Sequence, residues 1–462
     1  MASFASKLSR LPPMPGAAAV PAPAPAPASA VVPAAISADG VAPASGPVRF
    51  VEPLVAPPAP PPAPENIAAA LNARPSLDDL RDRIARIVAK ASPEPPRPRP
   101  NPACSELPFL VELTDRGPLY VSRVLTGNAA RVGRAPLVAA RDAAPEMLSL
   151  LALDPGLAGC DVRRALYLDT ETTGLQGGTG TVAFLVGLSF FDEDKGAFVM
   201  EQVLLRRLGE EGPMLDLVAR RIADASMLVT FNGKSFDIPL LRTRFVMNRM
   251  PPPPERPHLD LVHVARRIHG HRLKSRTLVS IENEVLGRGR VGDVAGADVV
   301  ACYMHYLRTG DEGALAGVAQ HNADDVLAMV ALVGLYGEPL GSLGGEDLAG
   351  VARVLCRAGE HGRAAEIAEA AVERGGGSVA RRARGDIAKA RGDKARALLD
   401  YEAIAGEVDD PSVRLELAKL YEHHVRAFTR ALEVVGSGTG EEPAALAKRR
   451  ARLERKIARR PS

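Results

Sequence analysis

The sequence predicts an α/β domain built on a mixed sheet flanked by helices, followed by an all-α repeat region and preceded by a disordered segment. Three observations lead there. Between about residues 104 and 337, apolar strand-like runs alternate with amphipathic helical stretches. Beyond Gly337 the pattern is helical alone, and a Gly-x3-Arg-Ala signature begins a repeat spaced by 33 and then 34 residues. Before residue 104, Pro and Ala dominate, a composition that cannot bury a core.

A chain of 462 residues has room for two or three domains, and its net charge of +3 gives no global sign of a nucleic-acid or membrane partner. Trp is absent and aromatics make up 4%, so the core must be mainly aliphatic. Cys104, Cys160, Cys302 and Cys356 lie far apart, which suggests neither a zinc knuckle nor a disulfide framework. They read as reduced thiols in a cytoplasmic protein. No apolar run reaches the ~18–20 residues of a membrane span, and Pro12, Pro13 and Pro15 interrupt any secretory core.

In residues 1–103 one island stands out, Ser76–Ala91, a short helix with Leu77, Leu80, Ile84, Ile87 and Val88 on one stripe, expected to dock on the body. Leu110–Leu113 and Leu119–Leu125 form a hairpin around Asp115–Gly117, and Glu146–Leu153 a short helix. Ala165–Leu168 begins a buried strand, followed by two more over Thr181–Phe191 and Ala197–Leu205 as an antiparallel meander. Pro213–Asp224 is a crossover helix that brings Met227–Phe231 parallel to the first strand. Ser235 is the expected N-cap of a helix over Phe236–Met250. His258–His269, Thr277–Leu286 and Leu315–Tyr336 read as further helices. Between the first two lies a basic run, Arg266, Arg267, His269, His271, Arg272, Lys274 and Arg276, a candidate phosphate-backbone contact.

The chemistry is carried by acids at element ends. Asp169 and Glu171 close the first strand two residues apart, so a regular strand puts both on one face with Thr170 on the other. Two like charges there are relieved by a hard divalent cation. Asp237 falls in the first turn of a helix just after the fourth strand, and Asp325 sits on a late helix one turn from His321. Strands one and four side by side would gather these segments. Four acids in one cleft can hold two ions that clamp a scissile phosphate, with His321 taking the proton of the attacking water.

Asp169-Thr-Glu171-Thr-Thr-Gly174, Thr230-Phe-Asn232-Gly-Lys234-Ser-Phe-Asp237 and His321-Asn322-Ala-Asp-Asp325, in this order, resemble the DEDD 3′→5′ exonuclease superfamily of ribonuclease H-like fold. More narrowly the chain is similar to the YprB-like bacterial group, in which such a domain precedes tetratricopeptide-like repeats. The resemblance covers about residues 105–435. It implies a mixed five-stranded sheet flanked by helices and phosphodiester cleavage in DNA or RNA. It further implies two Mg²⁺ or Mn²⁺ ions on Asp169, Glu171, Asp237 and Asp325, with Asn232 and Lys234 on the substrate. One departure stands out: His321 is four residues before Asp325, the spacing of the superfamily's tyrosine branch, whereas the histidine branch uses five. Asp324 is the neighbour ranked second to Asp325. The alternative function is a catalytically weak nucleic-acid-binding adaptor using the repeats for protein contacts.

Residues 338–462 are expected to hold helical hairpins that offer a concave surface to a protein or nucleic-acid partner. A C-terminal helix, Ala444–Arg460, carries a basic ridge from Lys448 to Arg460 and caps the stack.

Overall fold

A computed structural model of the protein describes residues 107–127, 129–174 and 180–459. The Pro/Ala-rich segment, its Ser76–Ala91 island and Cys104 lie outside the described residues.

A hairpin opens the described chain, β1 (Leu110–Thr114) and β2 (Gly117–Thr126), followed by a small ladder, β3 (Arg131–Val132) with β4 (Ala135–Pro136), and helix α1 (Pro145–Ala152). Then come β5 (Ala165–Thr172), β6 (Ala183–Asp192), β7 (Ala197–Leu204), α2 (Gly212–Asp224), β8 (Met227–Thr230), α3 (Asp237–Met247) and β9 (His258–Asp260). The main sheet has seven strands in the order β1-β2-β7-β6-β5-β8-β9. β5, β6 and β7 form the expected antiparallel meander, and β8 returns parallel to β5 after α2. Its part from β7 to β9 has five strands, the number the resemblance implies. The sheet is wider because β2 pairs with β7, a contact between residues about 80 positions apart that local pattern cannot reveal. The other difference is at His258–Asp260, expected to be helical: it is a strand parallel to β8, and its last residue, Asp260, caps helix α4 (Leu261–His269).

β5 is buried along Ala165–Leu168. Leu166 and Leu168 join Phe184, Val186 and Leu188 of β6, and Leu215, Val218 and Ile222 of α2, in one apolar cluster with Leu241 and Phe245 of α3. Helices α5 (Leu278–Ile281, running on into a π-helical turn Glu282–Leu286), α6 (Gly296–Thr309) and α7 (Gly313–Tyr336) complete this part. Tyr303 of α6 stacks on Phe184, with centroids 4.0 Å apart.

From Gly345 the chain is helical: α8 (Gly345–Arg357), α9 (His361–Glu373), α10 (Gly377–Ala390), α11 (Lys394–Glu407), α12 (Pro411–Leu420), α13 (Phe428–Gly436) and α14 (Pro443–Ala458). The repeated Gly-x3-Arg-Ala signature falls at the turns between the paired helices. Gly359 and Gly392 adopt φ of +89° and +85°, and Ala364 and Ala397 are fully buried. The C-terminal helix does cap the stack, burying Leu453 against Leu417 and Val435. Its basic ridge is divided. Arg452 and Lys456 donate to the buried Glu422 at 2.6–2.8 Å, and Arg449 to Glu441 at 2.8 Å, while Lys448, Arg450, Arg455 and Arg459 are exposed.

The basic run after α4 is also partly absorbed. His269 is buried, its Nδ1 2.7 Å from Asp347 Oδ1 and its Nε2 2.9 Å from the Tyr336 hydroxyl. Arg272 donates to both Asp347 oxygens at 2.7 and 3.0 Å. These bonds seat α8 on α4, where Gly350 passes so close that a Cβ would lie 2.1 Å from the Ile268 carbonyl oxygen. The expected phosphate contact is thus corrected for His269 and Arg272: they hold two helices together. Asp347 is half of this joint. Replacing it strands a buried His and a half-buried Arg, so Asp347→Ala should cost roughly 3–5 kcal/mol. Thermal unfolding should show the loss, and limited proteolysis should cut between Gly337 and Gly345 before the rest. A variant that melts like the parent would place the joint elsewhere.

Candidate active site

The carboxylates are positioned by the register across the sheet. Asp169 of β5 pairs with Gly187 of β6, which pairs with Gln202 of β7. α7 lies over this row and drops Asn322 into the space that Gly187 leaves; a Cβ on residue 187 would lie 2.2 Å from Asn322 Oδ1. Asn322 is fully buried, donates Nδ2 to Asp169 Oδ2 at 2.8 Å, and accepts at Oδ1 from Gln202 Nε2 at 2.9 Å. His321 and Asp325, flanking Asn322 on the same helix, are thereby brought to the end of β5.

Asp237 arrives by a different route. After β8 the chain turns sharply, with Asn232 at φ +72° and Gly233 pressed against Thr230, where a Cβ would stand 2.5 Å from the threonine Cβ. Asp260 holds this turn: its carboxylate accepts from the backbone N–H groups of Asn232 at 2.7 Å and Lys234 at 3.1 Å. α3 therefore starts at Asp237 with no side-chain cap, and the expected capping role of Ser235 is corrected: Ser235 is exposed in the turn. Asp237 is buried in the first helical turn, as expected, and accepts from the Thr170 hydroxyl at 2.5 Å. Thr170 thus bonds one of the acids while staying in regular register opposite Val186; the register of β5 shifts only beyond it, between Glu171 and Thr172.

Asp169, Thr170, Asn232, Phe236, Asp237 and Leu240 line a cleft of 320 Å³. Lys234 is exposed, with its ammonium 3.8 Å from Asp154. His321 sits at the rim of the acids. Its Nδ1 is 2.6 Å from Asp293 Oδ1, and its Nε2 is 4.0 Å from Glu171 and 3.7 Å from Asp325. A carboxylate behind the imidazole fixes its orientation and leaves Nε2 facing the acids. Asp324 points elsewhere, accepting from Arg288 at 2.7 Å and Gln320 at 3.0 Å.

The electrostatics follow from packing acids together out of water. Burial, then the Asp325, Asp237 and Glu171 charges, push Asp169 well above the usual carboxylate range. Burial, opposed by His321 and reinforced by Asp325, pushes Glu171 up to about 7. Burial pushes Asp237 up to about 6 against the Thr170 hydrogen bond. Burial pulls His321 down, but Asp325, Asp293 and Glu171 outweigh it and hold the imidazole above its ordinary value. Hard oxygen donors that resist ionising in isolation suit a divalent cation. Among the described residues, however, no three His, Cys, Asp or Glu side chains converge on one point. Three of the four acids are turned to a protein partner: Asp169 to Asn322, Asp237 to Thr170, and Asp325 to Arg290, whose guanidinium also bonds Glu282.

Residues 166–336 match the RNase_H_2 family model, of the RNase_H superfamily. These residues form a ribonuclease H-like domain. An uncharacterized protein of Bacillus subtilis (strain 168), YprB, is 36% identical over 176 residues, which is 38% of this chain and 42% of that protein. The match thus spans less than half of that relative's length. A family B DNA polymerase from the hyperthermophilic archaeon Pyrobaculum calidifontis is similar over 42% of this chain and 29% of its own, at 17% identity and a TM-score of 0.30. No helix among the described residues is long and apolar enough to cross a membrane. Cys160, Cys302 and Cys356 are free thiols.

Sequence reasoning missed Asn322, Gln202, Asp260, Asp293, Glu282 and Arg290 in the ribonuclease H-like domain. Asn322 stood inside a recognised motif, and its neighbours were the signal. The other five lie outside the motifs and reach the site only through the fold.

The raised Glu171 carboxyl makes a stability prediction. Its folded pKa of about 7 lies above the ordinary 4.5, so between those values the folded state holds the extra proton. The metal-free protein therefore loses stability as pH rises through that window. Glu171→Gln removes the penalty and should stabilise the protein in EDTA at pH 8 by roughly 1–3 kcal/mol, read as a raised melting temperature, with the gain shrinking at pH 5. A destabilised variant at pH 8 would contradict a strained carboxylate.

Proposed function

We propose that the ribonuclease H-like domain is a metal-dependent nuclease that hydrolyses nucleic-acid phosphodiester bonds, acting as a 3′→5′ exonuclease. The observation that carries this is a pair of recessed carboxylates lining a cleft, Asp169 and Asp237, with Glu171 two residues along β5 from the first, and ionisation held back at all three. Raised carboxyl groups in a cleft mark functional sites. The 3′-end direction rests on the motif order shared with the DEDD exonucleases, as does the expectation of two ions, Mg²⁺ or Mn²⁺, on Asp169, Glu171, Asp237 and Asp325. Bound there, the metal supplies activation of the attacking water and charge neutralisation at the leaving oxygen.

The chain's own groups do the rest. His321 accepts the water proton at Nε2, while Asp293 holds its Nδ1. Asn232 contacts the terminal nucleotide from the cleft wall, and Lys234 meets a phosphate from the exposed turn. Phe236, 57% exposed on the same wall, offers a face to a base. The helical hairpins beyond residue 337, tetratricopeptide-like in period, form a separate region that takes a protein partner. The protein works in the cytoplasm, on DNA or RNA.

A second reading, a nucleic-acid-binding adaptor with little catalysis, is favoured by one observation: Asp325 is engaged by a buried arginine. Single-stranded DNA and RNA oligonucleotides labelled at either end, incubated with Mn²⁺, Mg²⁺ or EDTA, separate the two. The nuclease shortens 5′-labelled strands stepwise and releases the 3′ label at once, only with metal. Asp169→Asn and Asp237→Asn should each lose on the order of 10³-fold or more in rate while still folding. Binding without shortening would favour the adaptor.

A further inference from the structure

One buried cation stands against the candidate metal site. Gly287 and Gly292 adopt φ of +71° and +74°, and Val291 is fully exposed, so the segment between them turns sharply and sends Arg290 inward. The Arg290 side chain is only 3% exposed. Its Nη2 donates to Asp325 Oδ1, its Nε to Glu282 Oε2, and its Nη1 lies 3.4 Å from both Asp293 Oδ2 and His321 Nδ1. Glu282 is fully buried in the π-helical turn. The guanidinium is thus anchored from behind, and swinging away would leave the buried Glu282 with Arg288 alone, 3.6 Å from its Oε1. Arginine stays protonated under all ordinary conditions, so this positive charge is permanent.

A fixed guanidinium on Asp325 competes with a divalent ion there twice over. It occupies Oδ1 directly, and it repels a second positive charge placed a few ångströms away. The other oxygen, Oδ2, faces His321 Nε2 at 3.7 Å. Among the described residues, no arginine or lysine pairs with Asp169, Glu171 or Asp237: their partners are the neutral Asn322 and Thr170 and, at 4.0 Å, His321. We propose that Arg290 is the resident cation of the Asp325 side, so that this site takes a single divalent ion, on Asp169, Glu171 and Asp237, where the motif resemblance implies two. This rests on the metal-dependent reading above. Asp325 then serves to position Arg290 and His321 rather than to ligate metal. The guanidinium supplies its fixed positive charge through space, beside the acids, where a second ion would otherwise bring it.

The count of bound ions tests this without reference to activity. The full chain is titrated with Mn²⁺ in the presence of adenosine 5′-monophosphate, and free Mn²⁺ is followed by electron paramagnetic resonance. The double variant Arg290→Gln/Glu282→Gln, which also removes the carboxylate that would be stranded, is titrated alongside. The wild-type protein should bind one ion per chain, with no exchange-coupled pair signal. The double variant should bind a second and show that signal. Two ions with a coupled signal in the wild type would overturn the role of Arg290 while leaving the metal site standing. So would a folded double variant that still binds only one. If the double variant does not fold, the wild-type count decides alone. No Mn²⁺ bound to the wild type would remove both the metal site and this inference.

Discussion

Asn322 lodged over Gly187 is the contact on which the arrangement of the site depends. Only a residue without a side chain at position 187 lets α7 approach the sheet so closely, and the amide at 322, donor and acceptor at once, bonds Asp169 on one side and Gln202 on the other. That bridge fixes α7 in rotation and height against β5, β6 and β7. Once it is set, His321 and Asp325 have no choice but to face the end of β5. The second half of the site depends on a comparable clamp, the Asp260 carboxylate gripping the turn before α3. Both devices are buried polar contacts, which cost more to break than they contribute when made. That asymmetry favours one arrangement over its near neighbours.

The acids brought together this way are under electrostatic strain. Asp169, Glu171 and Asp237 lose hydration and repel one another, and the fold offers Asp169 and Asp237 neutral hydrogen-bond donors and Glu171 only His321 at 4.0 Å. Asp325 is treated differently, with Arg290 beside it and Glu282 behind. The same sheet end therefore carries one side in need of a cation and one side that already has it.

The residues proposed for the centre were legible because local sequence marks the elements that carry them: an apolar strand closing on Asp169 and Glu171, an Asn-Gly turn before Asp237, a long helix carrying His321 and Asp325. The repeat spacing likewise exposed the helical hairpins, since their Gly and Ala positions are fixed by tight turns and close helix contact. What stayed hidden was set by distance. The pairing of β2 with β7 and the reach of Arg290 to Asp325 join positions that share no local pattern. The basic run at residues 266–276 misled in part because charge alone does not say whether a partner is a phosphate or, as for Arg272, the carboxylate of Asp347.

The most direct measurement is anomalous scattering from crystals soaked in Mn²⁺. The account predicts a peak in the cleft at the end of β5, about 2.0–2.2 Å from carboxylate oxygens of Asp169 and Asp237. Mn²⁺ found only at other carboxylates, with those two still turned to Asn322 and Thr170, would contradict it.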